Sequence, residues 1–324
     1  MLRMMFCSDL RYGAVCSENL GIQLSHQWQA ARRDKFTDLI DKTVQNNAAY
    51  VALFGQLFGQ KRISEAIIDR LFETVKAEAG IKVLAFLNKE EYSRIAYRND
   101  IPNNLFFLCP QKQDSYLDDY IAVKTDNAAA AIQLAYNNSL LIQKNSEDRF
   151  VISDLNEEYV LPSFEPVGFE DAHGLTCGYS IIEWYDEEFG QYTYSEDQKY
   201  VYKSIVIKLF PEDDQKEIIR KINASVNDVG FDTFLRITLT GRTAFATRIN
   251  SEALKARMQN RVFYAEIYDN TEMDIDETAF ENDISLSSEF VRLAMQDDSL
   301  SESERNRLIC CGWNALKGGE VSLD

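Results

Sequence analysis

Apolar runs alternate with amphipathic stretches through the first half of the chain. The run at 50–54 (Tyr-Val-Ala-Leu-Phe) has no charged side chain and predicts a strand covered on both faces. Largely apolar runs at 2–7 and 81–87 read the same way, and 104–109 and 120–123 are further strand candidates. Trp28, Phe36, Leu39, Ile40 and Val44 fall at helical spacing. They predict a helix over 25–46 with Ser25 as its N-cap and Arg32, Arg33, Asp34 and Lys35 on a solvated side. Ile67, Ile68, Leu71 and Val75 predict a helix over 64–79, and the Ala-rich stretch 127–136 a short one. Strand, helix, strand, helix, strand is the pattern of a layered α/β domain, assigned to 1–160.

The texture changes after residue 161. Runs at 177–184 and 200–210 predict strands joined by an acidic, aromatic hairpin. A helix over 213–229, a strand over 231–240, a helix over 251–258 and a strand over 261–268 complete a small α+β module, 161–268, separate from the first sheet. Residues 269–283 hold seven acids and no Lys or Arg, which marks a solvated linker. The loop has no Gly at its sixth position, which weakens a calcium-loop reading. Two helices follow over 285–316, ended by Gly318-Gly319, so 269–324 reads as linker and tail.

Composition narrows the function classes. A net charge of −18 on 324 residues argues against broad binding of nucleic acid, although a basic groove on an acidic body leaves DNA contact open. No apolar run approaches the roughly 18 residues of a membrane span. The six cysteines form no C-x-x-C pair and read as reduced thiols of a cytoplasmic protein. The adjacent Cys310-Cys311 reads as helix packing rather than redox chemistry. Only two histidines exist, which limits any metal site. His26, near a helix start, reads as a surface or capping residue. His173 reads as a structural hydrogen-bonding residue, and Trp184, Tyr185, Tyr192, Tyr194, Tyr200 and Tyr202 as cross-strand packing rather than base-stacking groups.

Candidate chemistry gathers at three strand-end turns: Asp9-Leu10-Arg11, Gly55-Gln56-Leu57-Phe58 and Leu87-Asn88-Lys89-Glu90. Their order and spacing resemble the calcineurin-like metallophosphoesterases, whose motifs there are D-x-H, G-D-x-F and G-N-H-D. The resemblance is closest to SbcD-type nuclease subunits of double-strand-break repair complexes. Ala31-Arg-Arg-Asp-Lys-Phe36 is similar to the opening of that family's first helix. Pro162-Ser-Phe-Glu-Pro-Val-Gly-Phe169 with His173-Gly174 is similar to its crossing into the second domain. Leu235-Arg-Ile-Thr-Leu-Thr-Gly-Arg-Thr243 resembles a strand of its capping module, and Trp313-Asn-Ala-Leu-Lys-Gly-Gly-Glu-Val321 the end of its tail. The resemblance spans nearly the whole chain, though the segment 90–162 is short for the family.

This resemblance implies a metallophosphoesterase-like layered sheet domain, an α+β capping domain and a helical tail. It also makes the departures informative. Asp9 and Asn88 keep family ligands. Arg11 stands where the family has a ligand His, Gln56 replaces the Asp that bridges two cations, Lys89 the catalytic His, and Glu90 the Asp of that turn. No His lies between Lys89 and Leu161, so the later His ligands are missing too. Two divalent ions about 3.5–4 Å apart need carboxylate charge between them, and Gln56 is neutral. The expectation is a degenerate site of Asp9, Arg11, Gln56, Asn88, Lys89 and Glu90 with no metal, or residual Mn at most. Arg11 and Lys89 would replace the cations electrostatically, paired with Asp9 and Glu90.

The implied role is a non-catalytic scaffold or regulatory subunit. In the resembled family, tail helices dock on the coiled coil of an SMC-like ATPase; here Phe290, Leu293, Leu308 and Leu316 would serve. A homodimer through the first domain is compatible with the resemblance. Two other readings stay open: a divergent metal-dependent phosphodiesterase or exonuclease, and a phosphate or nucleotide sensor using the old cleft.

Overall fold

The computed structural model describes the chain apart from residues 61, 127–128, 135–138, 146–148, 154–157, 173–174, 186–187, 245–246, 248, 275–283 and 317–324. His173, Gly174, Gly318 and Gly319 therefore lie outside the described residues. The chain forms two compact units, 1–201 and 202–324.

The first unit opens with β1 (Leu2–Ser8), α1 (Ile22–Gln45), β2 (Tyr50–Phe54), α2 (Glu65–Ala77), β3 (Lys82–Phe86), α3 (Lys89–Ile95) and β4 (Leu105–Leu108). These four strands are parallel neighbours in sequence order. Alternate residues of the buried strands face opposite ways, which is why the runs are continuously apolar. Met5, Cys7, Val51, Leu53, Val83 and Ala85 pack under Phe36, Leu39 and Ile40 of α1 and Ile68, Leu71 and Val75 of α2.

The opposite face carries Met4, Phe6, Tyr50, Ala52, Phe54, Leu84 and Phe86. It meets a second sheet made by β5 (Ser115–Leu117), β6 (Ile121–Asp126), β7 (Ala129–Leu134), β8 (Ser139–Lys144), β9 (Phe150–Ser153) and β10 (Glu158–Val160). This sheet is an antiparallel meander in sequence order. Its Ile121, Val123, Ile132, Leu140, Ile142 and Ile152 fill the layer between the sheets. The described order is helices, sheet, sheet: a mixed α/β unit.

After α4 (Phe169–Ala172), β11 (Gly178–Tyr185) pairs antiparallel with β1, and β12 (Glu188–Glu196) with β11. The first sheet thus runs β12-β11-β1-β2-β3-β4.

The structure corrects several expectations. The stretch 177–184 does not belong to a separate module, because β11 covers the open edge of β1 with Ile182 and Trp184 buried against the second sheet. The Ala-rich stretch is strand β7 rather than a helix. Alanine's helix propensity is a weak prior, and Ile132, opposite Val123 and Leu140, is better buried in the ladder. Helix α1 starts at Ile22 behind Gly21, so Ser25 lies inside its first turn instead of capping it.

In the second unit β13 (Val201–Leu209), α5 (Gln215–Ser225), β14 (Thr233–Ala244), α6 (Ser251–Met258) and β15 (Tyr264–Asp274) form a three-stranded sheet with both helices packed on one face. The first residues of the expected acidic linker, 269–274, are strand, paired in parallel with 239–244. Arg242 offsets their charge, 3.6 Å from Glu272 and 3.7 Å from Asp274. Helices α7 (Leu286–Met295) and α8 (Glu302–Leu316) pair as a hairpin around Val291, Ala294 and Ile309. Among the described residues no helix is long and apolar enough to cross a membrane.

Candidate functional site

Three loops meet at the carboxyl ends of β1, β2 and β3, where open α/β sheets place ligands. The loop after β1 runs beside the loop after β2 as a continuation of the parallel ladder. Asp9 N–H donates to the Phe54 carbonyl (2.8 Å), Arg11 N–H to Gln56 (2.9 Å) and Tyr12 N–H to Leu57 (2.7 Å). Holding this path puts Asp9 and Arg11 at φ +50° and +47°, a left-handed backbone that costs a non-glycine residue about 1–3 kcal/mol. Gly55 is required twice over. Its φ is +79°, and a β-carbon there would stand 2.4 Å from Asp9 Oδ1.

Asp9 Oδ1 accepts the Gln56 backbone N–H at 3.1 Å. Arg11 does not pair with Asp9 as expected. Its Nη1 reaches Asp171 Oδ2 at 2.6 Å, and the same oxygen accepts Val167 N–H at 3.0 Å. The expected Lys89–Glu90 pair is also absent: both side chains are exposed and outside the cleft, and Glu90 pairs with Arg94 one turn on. The reason is helical geometry, since adjacent residues point apart while i and i+4 share a face.

Two cations expected on the solvated side of α1 are instead buried and hold the site together. Arg32, 1% exposed, donates to the carbonyls of Leu10, Arg11, Glu165 and Pro166. Lys35 donates to the Phe164 carbonyl and pairs with Glu165 Oε1 at 3.1 Å. Residues 162–164 thread between β1 and β11, with Ser8 N–H on the Pro162 carbonyl and Gly178 N–H on Ser163. The Pro162–Phe169 motif is thus bolted against the first turn. Gly168 lies so close to Ser17 that a β-carbon would overlap its Oγ at 1.6 Å.

The third loop is organised by a residue the motif comparison passed over. Asn88 caps α3, its Oδ1 accepting Glu91 N–H at 2.9 Å. Buried Glu91 Oε1 accepts Phe58 N–H at 3.0 Å, and its Oε2 accepts from Asn88 Nδ2 at 3.2 Å. Burial pushes this carboxyl above its ordinary range, against the lowering effect of the backbone donors Phe58, Leu57 and Gly59. The sequence carried a signal for it: a cap residue followed three positions later by Glu is a capping box.

These turns form one wall of a cleft of about 530 Å³. Asp9, Arg11, Gln56 and Asn88 line it together, whereas Lys89 and Glu90 do not. The facing wall brings Lys144 from β8, Phe150 from β9 and Arg149 from just before β9. No local signal marked these three, because only sheet stacking carries them to the strand ends. Phe54 and Phe86 stack at 4.1 Å beneath, and Phe150 leans on Phe54 at 5.6 Å. Among the described residues no group of three or more His, Cys, Asp or Glu is placed to hold a metal ion. A wall with one carboxylate, two neutral amides and a guanidinium does not suit two divalent cations.

The remaining candidates stay apart from the cleft. His26 is exposed on the first turns of α1. Trp184 is buried between the sheets, and Tyr192 stacks on Tyr159 at 4.3 Å. Among the described cysteines, Cys7, Cys109 and Cys177 are free thiols, and burial raises Cys7 to about 12 and Cys177 to about 11, against reactivity. Neither a scan of protein-family models nor a search of curated proteins returns a match to this chain.

Proposed function

We propose that this chain is a non-catalytic relative of the SbcD-type nuclease subunits, acting as a scaffold or regulatory subunit. In this reading the first unit is a degenerate metallophosphoesterase-like domain and the second a capping module. The observation that carries it is the meeting of Asp9, Arg11, Gln56 and Asn88 on one cleft wall at the strand ends. Four of the six positions matched to the family's turns converge, yet with a guanidinium and an amide in place of metal donors, while Lys89 and Glu90 lie outside the cleft. The Arg11–Asp171 pair supports the same reading, since a fixed cation occupies ground that a metal would need.

The test is a titration of the purified protein with Mn²⁺ beside hydrolysis of bis-(p-nitrophenyl) phosphate. The expected result is no saturable metal binding and turnover at background. Turnover that disappears in Asp9→Ala would overturn the reading in favour of a divergent phosphodiesterase.

The partner of this reading is a coiled-coil ATPase gripped by the tail. Leu293, Leu308 and Leu316 project to solvent from α7 and α8, which supports it. Phe290 does not serve, because it packs inside the hairpin against Gly312. A second reading, a phosphate-ligand sensor, is favoured by Lys144 and Arg149 on the facing wall.

A further inference from the structure

Strand β4 is the edge of the first sheet and β5 the edge of the second, and the two lie together. A cavity of about 280 Å³ opens there. None of its described lining residues lines the strand-end cleft. It straddles the two cores of the first unit. Tyr92, Leu105 and Phe107 belong to the core under the helices, and Phe106, Leu108 and Tyr116 to the core between the sheets. Because β4 sends alternate side chains to these two walls, its backbone edge runs between them.

Most of that edge is already satisfied. The Asn104 and Leu108 carbonyls accept from Val83 and Leu87 N–H on the β3 side, so alternation turns Leu105, Phe107 and Cys109 outward. Leu105 N–H folds back on the Pro102 carbonyl at 3.0 Å, and Cys109 N–H is taken by Asp114 Oδ2 at 3.0 Å. Between them the Phe107 N–H and the Leu105 carbonyl have no partner among the described residues. An added strand would pair with one residue before meeting blocked donors, so the edge does not suit an extended peptide. A small ligand needs no more than this one donor and one acceptor. The walls say what kind. Phe106 and Tyr116 tilt together at 4.5 Å, and no charged side chain is among the described lining. We infer that the cavity binds a small, neutral, planar heteroaromatic with adjacent N–H and carbonyl groups, as in a bicyclic lactam. Its carbonyl accepts the Phe107 N–H, its N–H donates to the Leu105 carbonyl, and its ring lies between the two aromatic walls. Such a ligand supplies the partners that backbone groups beside apolar walls otherwise lack.

The experiment is isothermal titration of the full chain with carbostyril and with N-methylcarbostyril, which has the same rings but no N–H. Carbostyril is expected to bind saturably, and the methylated form about tenfold more weakly, the scale of one lost hydrogen bond. Ala96 is exposed at the end of α3 and lines the cavity. Ala96→Trp should fill the space and abolish binding with the melting temperature unchanged. Phe107→Pro and Phe107→Ala lose the same ring, but only the proline lacks the outward N–H, a change an edge strand tolerates. The proline variant should bind carbostyril about tenfold more weakly than the alanine variant. Absence of saturable binding, equal affinity for the methylated compound, or binding unchanged in Ala96→Trp would overturn the inference. If the proline variant does not fold, the methylated compound on the native chain decides alone whether the edge N–H and carbonyl pair is used.

Discussion

Asp9 shows how much a single residue in this site is asked to do. It sits at positive φ, accepts Gln56 N–H, and lies so close to Gly55 that any side chain there would strike its carboxylate. Gly55→Ala is therefore expected to destabilise the first unit by about 2–3 kcal/mol, from backbone strain and the displaced carboxylate together. Urea unfolding monitored by tryptophan fluorescence checks this, and a change below about 0.5 kcal/mol would contradict the geometry. Arg32 and Lys35 make the same point for charge. A cation on a helix is ordinarily solvated, but here main-chain carbonyls surround both and supply the acceptors that burial demands.

Among the elements, the β5–β6 connection carries a dependence on pH through Asp118. Asp118 Oδ2 accepts from Lys82 Nζ (2.6 Å), Tyr50 OH (2.6 Å) and Tyr116 OH (2.7 Å), tying the second sheet to β2 and β3. Burial pushes this carboxyl up, but the three donors outweigh it and hold it below the usual carboxylate range. A depressed carboxyl contributes stability above its unfolded value, near 3.9, and loses it as pH falls through the folded one. Asp118→Asn should cost about 2 kcal/mol at pH 7. The gap from wild type should narrow below about pH 4 in guanidinium melts, and a gap that widens there would refute the assignment.

For the whole molecule, the boundary between the units follows from which strands close the first sheet. A fragment ending at residue 160 lacks β11 and β12, and so leaves β1 as an unpaired apolar edge. It also lacks Phe164 and Glu165, the partners of Lys35. A fragment of residues 1–201 keeps all of these. The longer fragment should be monomeric with a cooperative thermal transition, and the shorter should aggregate, as read by circular dichroism and size-exclusion chromatography. Cooperative folding of the shorter fragment would show that β11 is dispensable.

Local pattern was enough for β1 to β4, α1, α2 and β6, because each apolar run is a direct record of faces that must leave water, but it did not reach β5, α3 or the strands β7 to β10. It was also enough for the identity of Asp9, Arg11, Gln56 and Asn88 at strand ends, and the cleft does gather them. Tertiary structure decided what each polar group is paired with. Arg11 found Asp171, 160 residues away, and Arg32 and Lys35 found carbonyls of a crossing segment that no helical pattern could anticipate. It decided the Ala-rich strand, where ladder register outweighed propensity. It alone placed Lys144 and Arg149 opposite Arg11. Hydrophobic periodicity is written residue by residue, whereas the partner of a charge is set by how sheets stack and which edge a late strand covers.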